Sequence, residues 1–200
     1  MPQQNKEIKR RIIGLTGGIA TGKSTVSDYI ATRHALPILD ADIYSREAVA
    51  KGSDILSRIA ERYGKELLLA DSTLNRAALG QIIFSNPNEK RWIEQQIHPF
   101  VREKFKAVAD SFPAQRTLVY SIPLLFEAKL THLVTEVWVV FCNPEQQKTR
   151  LMQRNQLSDQ DAQARIEAQM PIQEKCDRAD FILDNSSTKE DLFAQVDALL

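Results

Sequence analysis

Apolar and polar positions fall in alternating blocks along this chain. Short β-branched runs close on Gly or Asp, and each is followed by a longer stretch whose apolar residues recur three and four apart. That alternation predicts an α/β domain built on a parallel sheet. Residues 11–15 (RIIGL) read as a buried strand ending in glycines, and residues 24–33 as a helix with Val26 and Ile30 on one face. Residues 36–39 (LPIL) form a second strand that ends at Asp40. Residues 117–125 (TLVYSIPLL) and 136–142 (EVWVVFC) predict two more central strands, with Tyr120, Trp138 and Phe141 as core residues. Residues 181–183 give a short fifth strand.

The helices between them carry start and stop signals. Ser53 caps a stretch holding Ile55, Leu56 and Ile59, and Gly64 stops it. Asn86-Pro87-Asn88-Glu89 places a capping Asn before a first-position Pro, with Glu three residues after the cap. Trp92, Ile93 and Ile97 then line one face. Pro99 is expected to break or kink that helix after His98, since it lacks an N–H and clashes with the preceding turn. A further helix carries Val101, Phe105 and Val108. Asn143-Pro144 opens a helix that runs through Arg154. Ser158 to Asp161 has capping-box spacing, and Pro171 closes the segment. Residues 187–190 cap a terminal helix with Leu192, Val196 and Leu199 on one face. Two excursions therefore interrupt the strand series, residues 43–113 and residues 143–180.

Composition narrows the function classes. The 200 residues hold 26 Lys+Arg and 26 Asp+Glu, so no overall basic excess marks a dedicated nucleic-acid binder. The opening residues 1–11 are polar, with no leader-like apolar run after them, and no apolar stretch approaches the ~20 residues that cross a bilayer. Neither nucleic acid nor membrane is an expected partner. Cys142 and Cys176 lack metal-site spacing and read as reduced thiols of a cytoplasmic protein.

The chemistry concentrates at Gly17-Gly18-Ile19-Ala20-Thr21-Gly22-Lys23-Ser24, which fits G-x-x-x-x-G-K-[ST] at every fixed position. A strand feeds the loop and a helix leaves it. Backbone N–H groups turned inward by the glycines, and the positive end of the helix, would cradle phosphates. Lys23 adds a point charge for the β- and γ-phosphates, and Ser24 a hydroxyl ligand for Mg²⁺. ATP and Mg²⁺ are the expected cofactors. The D-x-x-G and N-K-x-D patterns of GTPases are missing from suitable positions.

Asp40-Ala41-Asp42 stands at the carboxyl end of the second strand, where ligands bind in open α/β sheets. One carboxylate can orient an acceptor hydroxyl and take its proton, while the other holds Mg²⁺. A capping role for these acids is the plainer alternative. Glu127, which ends the third strand, is placed to reach the acceptor or metal region, or is merely a polar strand end. Arg102 faces either an acceptor diphosphate or solvent. Arg150 and Arg154, four apart, share a helix face. Asn185 follows the last strand, where adenine rests in P-loop kinases. From the residues alone, a kinase of any alcohol acceptor and a nucleotide-dependent binding switch both stay open.

GLTGGIATGKSTV, LDAD, Ile97-His98-Pro99, PLLFE (residues 123–127) and the run from Arg150 to Asn185 together resemble the bacterial dephospho-CoA kinase family. Ala20 and Thr21 depart from the family's frequent Gly and Ser. The resemblance implies a P-loop kinase core, a single domain over residues 1–200 with sheet order 2-3-1-4-5. It implies an acceptor-binding helical region at 43–113 and a lid at 143–180. It also implies ATP-dependent phosphorylation of the ribose 3′-hydroxyl of dephospho-CoA, the last step of coenzyme A biosynthesis. Asp42 is then the catalytic base, Asp40 its metal-side companion and His98 part of the acceptor site. Arg154, then Arg150 and Arg165, would contact the transferred phosphate, and Thr25 would complete the nucleotide set of residues 17–25. The expected enzyme is a monomer, with an oligomer as the alternative.

Overall fold

The computed structural model describes residues 10–200; the polar opening read above as lacking a leader falls outside it for residues 1–9. The elements run β1 (Ile12–Gly17), α1 (Lys23–Arg33), β2 (Ile38–Asp40), α2 (Ala41–Ala48), α3 (Asp54–Tyr63), α4 (Arg76–Ser85) and α5 (Pro87–Asp110). They continue β3 (Leu118–Ser121), β4 (Glu136–Phe141), α6 (Pro144–Asn155), α7 (Asp159–Glu167), α8 (Ile172–Asp177), β5 (Phe181–Asp184) and α9 (Lys189–Leu199). The described residues divide into two units, one spanning residues 10–40 and 112–200, the other residues 41–111.

In the first unit, five strands among the described residues form one sheet in the order β2-β3-β1-β4-β5, as expected. Every pairing is parallel. Ser121 lies in register with Asp40 on one side and Leu15 on the other. The middle strands bury both faces, so their sequences are apolar runs without alternation. Ile13, Leu15, Val119, Trp138, Val140 and Leu183 meet Val26 and Ile30 of α1 and Leu192 and Val196 of α9 in one core. Tyr29 stacks on Phe193 at 3.9 Å and donates to Asp197 at 2.9 Å, fixing α1 to α9. Arg11 bonds Glu136 at 2.8 Å, and that carboxylate also accepts from the buried Trp138 indole. Cys142 and Cys176 are buried free thiols.

The second unit is helical. Ala48, Ile55, Leu56, Ile59, Leu79 and Ile93 form its core, with Trp92 and Ile97 packed against it. Ser53 accepts from Leu56 N–H and Asn86 from the N–H groups of Asn88 and Glu89, so both expected caps are made. Arg62 grips Glu89 with two hydrogen bonds (2.8 and 3.0 Å) and lies 4.7 Å over the Trp92 ring, tying α3 to α5.

Three expectations need correction. Pro99 does not end a helix: α5 is continuous through it. Gln95, whose carbonyl loses its partner there, is exposed, as is Pro99, while Ile93 and Phe105 anchor the helix on either side. The third strand stops at Ser121; Leu125 and Phe126 are apolar because the turns that follow are buried. Pro171 does not merely close a segment; it precedes a separate short helix, α8. The helix α4, capped by Asn75, was absent from the sequence reading.

Candidate active site

The glycine-rich loop joins β1 to α1. Thr21 folds it by donating both its N–H (3.2 Å) and its hydroxyl (3.0 Å) to the Gly18 carbonyl. Gly22, the cap of α1, sits at φ 107°, a left-handed conformation that suits glycine. A Cβ there would also overlap the Asn185 amide. Ala20 takes φ 62° without glycine's freedom. The loop therefore presents the N-terminus of an eleven-residue helix, a ready anion site. Ser24 is exposed and Thr25 half-buried in its first turn.

Lys23, also at that helix start, does not extend into solvent. Its ammonium donates to Ser121 Oγ at 2.5 Å and lies 3.5 Å from Asp40 Oδ2. Ser121 Oγ in turn donates to the same carboxylate oxygen at 2.6 Å. The strand register produces this trio: parallel pairing sets Asp40 beside Ser121 at the carboxyl end of the sheet. The end of β3 thus offers a hydroxyl, and the carboxylate nearest the loop lysine comes from β2. Ser121 was missed in the sequence, although a lone hydroxyl inside an apolar run was its signal.

More side chains grip the loop from outside. Gln147 of α6 donates to Ile19 O at 2.8 Å, Asn185 to Thr21 O at 2.7 Å and Lys175 of α8 to Gly17 O at 3.3 Å. Gln169 accepts from Ile19 N–H at 2.8 Å. Gln147 and Lys175 were also missed. Each occupies a position that helical spacing reserves for an apolar residue: Gln147 is one turn before Leu151, and Lys175 sits beside Cys176 and three after Ile172. Asn185 acts through its side chain on the loop, a role the sequence did not suggest.

Glu127 is engaged within the first unit. Its Oε1 accepts from Lys175 at 2.8 Å and from Met170 N–H at 3.1 Å, and its buried Oε2 has no hydrogen-bond partner among the described residues. Arg150 donates to Asn185 O at 3.1 Å. It also lies near Cys142; burial raises that thiol's pKa while the guanidinium opposes the rise. Arg154 is exposed and its Nε donates to the neighbouring Asn155 at 2.9 Å, and Arg165 is exposed in the last turn of α7. The structure thus brings Arg150 to Asn185, whose side chain holds the loop, and leaves Arg154 facing solvent.

The remaining expected residues belong to the second unit. Asp42 is exposed in the first turn of α2. His98 and Arg102 are exposed one turn apart on α5. Those two helices pack together: Tyr44 meets Phe105 edge-on at 5.3 Å, and Lys104 pairs with Glu47 at 3.3 Å. No group of three or more His, Cys, Asp or Glu side chains poised for a metal occurs among the described residues. The oxygen donors beside the loop, Ser24 and Asp40, suit Mg²⁺, which keeps its waters and leans on phosphate oxygens.

A family model described as Dephospho-CoA kinase matches residues 11–191. The chain is 57% identical over 192 residues to the dephospho-CoA kinase of Trichormus variabilis, covering 96% of this chain and 97% of that one. A Thermus thermophilus structure superposes with a TM-score of 0.82 at 31% identity, covering 96% of both chains. Dephospho-CoA kinase from Campylobacter jejuni gives a TM-score of 0.61 at 28% identity, covering 95% of both. With a glycine-rich loop, its lysine held beside the β2 carboxylate, and full-length relatives of one kind, this chain belongs to the dephospho-CoA kinase family.

Proposed function

We propose that this chain transfers the γ-phosphoryl group of ATP to the ribose 3′-hydroxyl of dephospho-CoA, giving CoA and ADP. The observation that carries the reading is the Lys23–Ser121–Asp40 cluster beside the phosphate loop, in a chain whose relatives bear that name. The loop N–H groups and the start of α1 bind the β- and γ-phosphates, and Lys23 exchanges Ser121 and Asp40 for phosphate oxygens. Ser24 and Asp40 would hold Mg²⁺, which would supply neutralisation of the phosphate charge. Asp42 orients the acceptor hydroxyl and takes its proton. The 3′-oxygen bonds to the γ-phosphorus as the bond to the β,γ-bridging oxygen breaks, and ADP departs with that electron pair. Arg150 and Arg154 stabilise the transferring group.

Residues 43–113, with His98 and Arg102, are assigned to the acceptor, and residues 143–180 to a lid that excludes water. Glu127 serves this site through Lys175. Both substrates are small and water-soluble, which fits a cytoplasmic enzyme. ADP release, followed by a coupled assay, should depend on dephospho-CoA. Stimulation by shikimate or a nucleoside monophosphate instead would reassign the acceptor. ATP hydrolysis indifferent to any acceptor would make the protein a nucleotide switch.

A further inference from the structure

The carbonyls of the phosphate loop are held in an alternating series. Lys175 takes Gly17 O, Gln147 takes Ile19 O and Asn185 takes Thr21 O, each residue coming from a different element. All three side chains are buried, with Lys175 fully so. A trans peptide unit points its C=O and the following N–H in opposite directions, and the described chain has no cis peptide. Fixing the carbonyls of residues 17, 19 and 21 outward therefore aims the N–H groups of Gly18, Ala20 and Gly22 the other way, toward the concave side of the loop. The grip is close: a Cβ on Gly18 would lie 2.6 Å from the Gln147 amide nitrogen.

Lys175 is the costliest member. A buried ammonium is strongly disfavoured unless its donors are met, and an apolar side chain there would serve packing more simply. Its three acceptors are Gly17 O at 3.3 Å, Pro123 O at 3.1 Å and Glu127 Oε1 at 2.8 Å. Glu127 also receives Met170 N–H, so one ion pair joins the end of β1, the turn after β3 and the start of α8. The loop then meets the triphosphate already shaped, and the reorganisation that binding would otherwise require is avoided.

We infer that Lys175, Gln147 and Asn185 are positioning residues that preorganise the phosphate loop by anchoring its alternate carbonyls. The inference rests on the nucleotide half of the reading above and is independent of the acceptor. It is tested by calorimetric titration of inorganic tripolyphosphate and of adenosine into the wild type, Gln147→Met, and the paired variant Lys175→Met/Glu127→Gln. The pair removes the ammonium without stranding a buried carboxylate. Expected is a tenfold or greater loss of tripolyphosphate affinity with adenosine affinity within twofold. In kinetics, KM for ATP should rise while KM for the acceptor holds. Should the paired variant fail to fold, Gln147→Met alone decides. Unchanged tripolyphosphate affinity in a folded variant overturns the inference, as does an equal loss for both ligands, which marks a merely structural role. A wild type that binds no tripolyphosphate overturns it together with the phosphate-loop reading. A wild type that binds tripolyphosphate but ignores dephospho-CoA overturns only the acceptor assignment.

Discussion

Gly22→Ala combines two penalties that the structure separates. The first is backbone strain: at φ 107° an alanine pays the cost of a Cβ in left-handed geometry, about 1–2 kcal/mol. The second is displacement of the Asn185 amide, into which the new methyl would project. That amide donates to Thr21 O at 2.7 Å in a buried setting, and stranding such a group costs about 1–3 kcal/mol. The sum centres on about 3.5 kcal/mol, or a lowering of Tm by about 7–14 °C for a chain of this size. Circular-dichroism melts and urea titrations of Gly22→Ala, Asn185→Ala and the double variant measure both parts. In the Asn185→Ala background the methyl has room, so Gly22→Ala should then cost only the strain, leaving a coupling of about 1–3 kcal/mol. A single variant within about 0.5 kcal/mol of wild type, or strict additivity of the two changes, would refute the reasoning.

Other expectations follow from the same geometry. Ala20→Gly relieves a left-handed alanine at φ 62° and, after the entropy glycine loses, should raise stability by up to about 1 kcal/mol in the same melts. Asp42→Asn should leave ATP affinity by calorimetry near wild type while lowering turnover about 10²–10⁴-fold, as for loss of a general base; collapse of ATP affinity would move Asp42 to the metal side. The hydrogen bonds from Arg62, then from the Tyr63 hydroxyl, hold Glu89 down to about 2, below the usual 4.5. A carboxylate depressed in the folded state adds stability that is present above its unfolded pKa and lost as pH falls through the folded one. Glu89→Gln should therefore flatten the stability profile between about pH 4.5 and 2, read by urea midpoints across that range.

What the amino-acid pattern revealed depended on how local the cause was. The loop, the caps at Ser53, Asn86 and Asn143, and the strand series are written in neighbouring residues, and the structure has them all. Pro99 misled because helix breaking is a local cost, whereas the buried anchors Ile93 and Phe105 that outweigh it belong to packing. Leu125 and Phe126 misled for the related reason that apolarity reports burial, not strand. Lys175 lies in a stretch rich in acids and bases, where a charged residue does not stand out. Its significance depends on Gly17 and Pro123, far away in sequence. Ser121 and Gln147 show the general clue: a polar residue at a position that periodicity assigns to the core.

The two tryptophans happen to divide between the two units, Trp138 in the sheet core and Trp92 beside Arg62 in the helical unit. Each unit therefore carries its own intrinsic fluorophore. Trp138, fully enclosed, should emit at shorter wavelength than the half-exposed Trp92, whose ring lies against a guanidinium. Replacing either one with phenylalanine yields a chain in which light reports the unfolding of the sheet and of the helices separately.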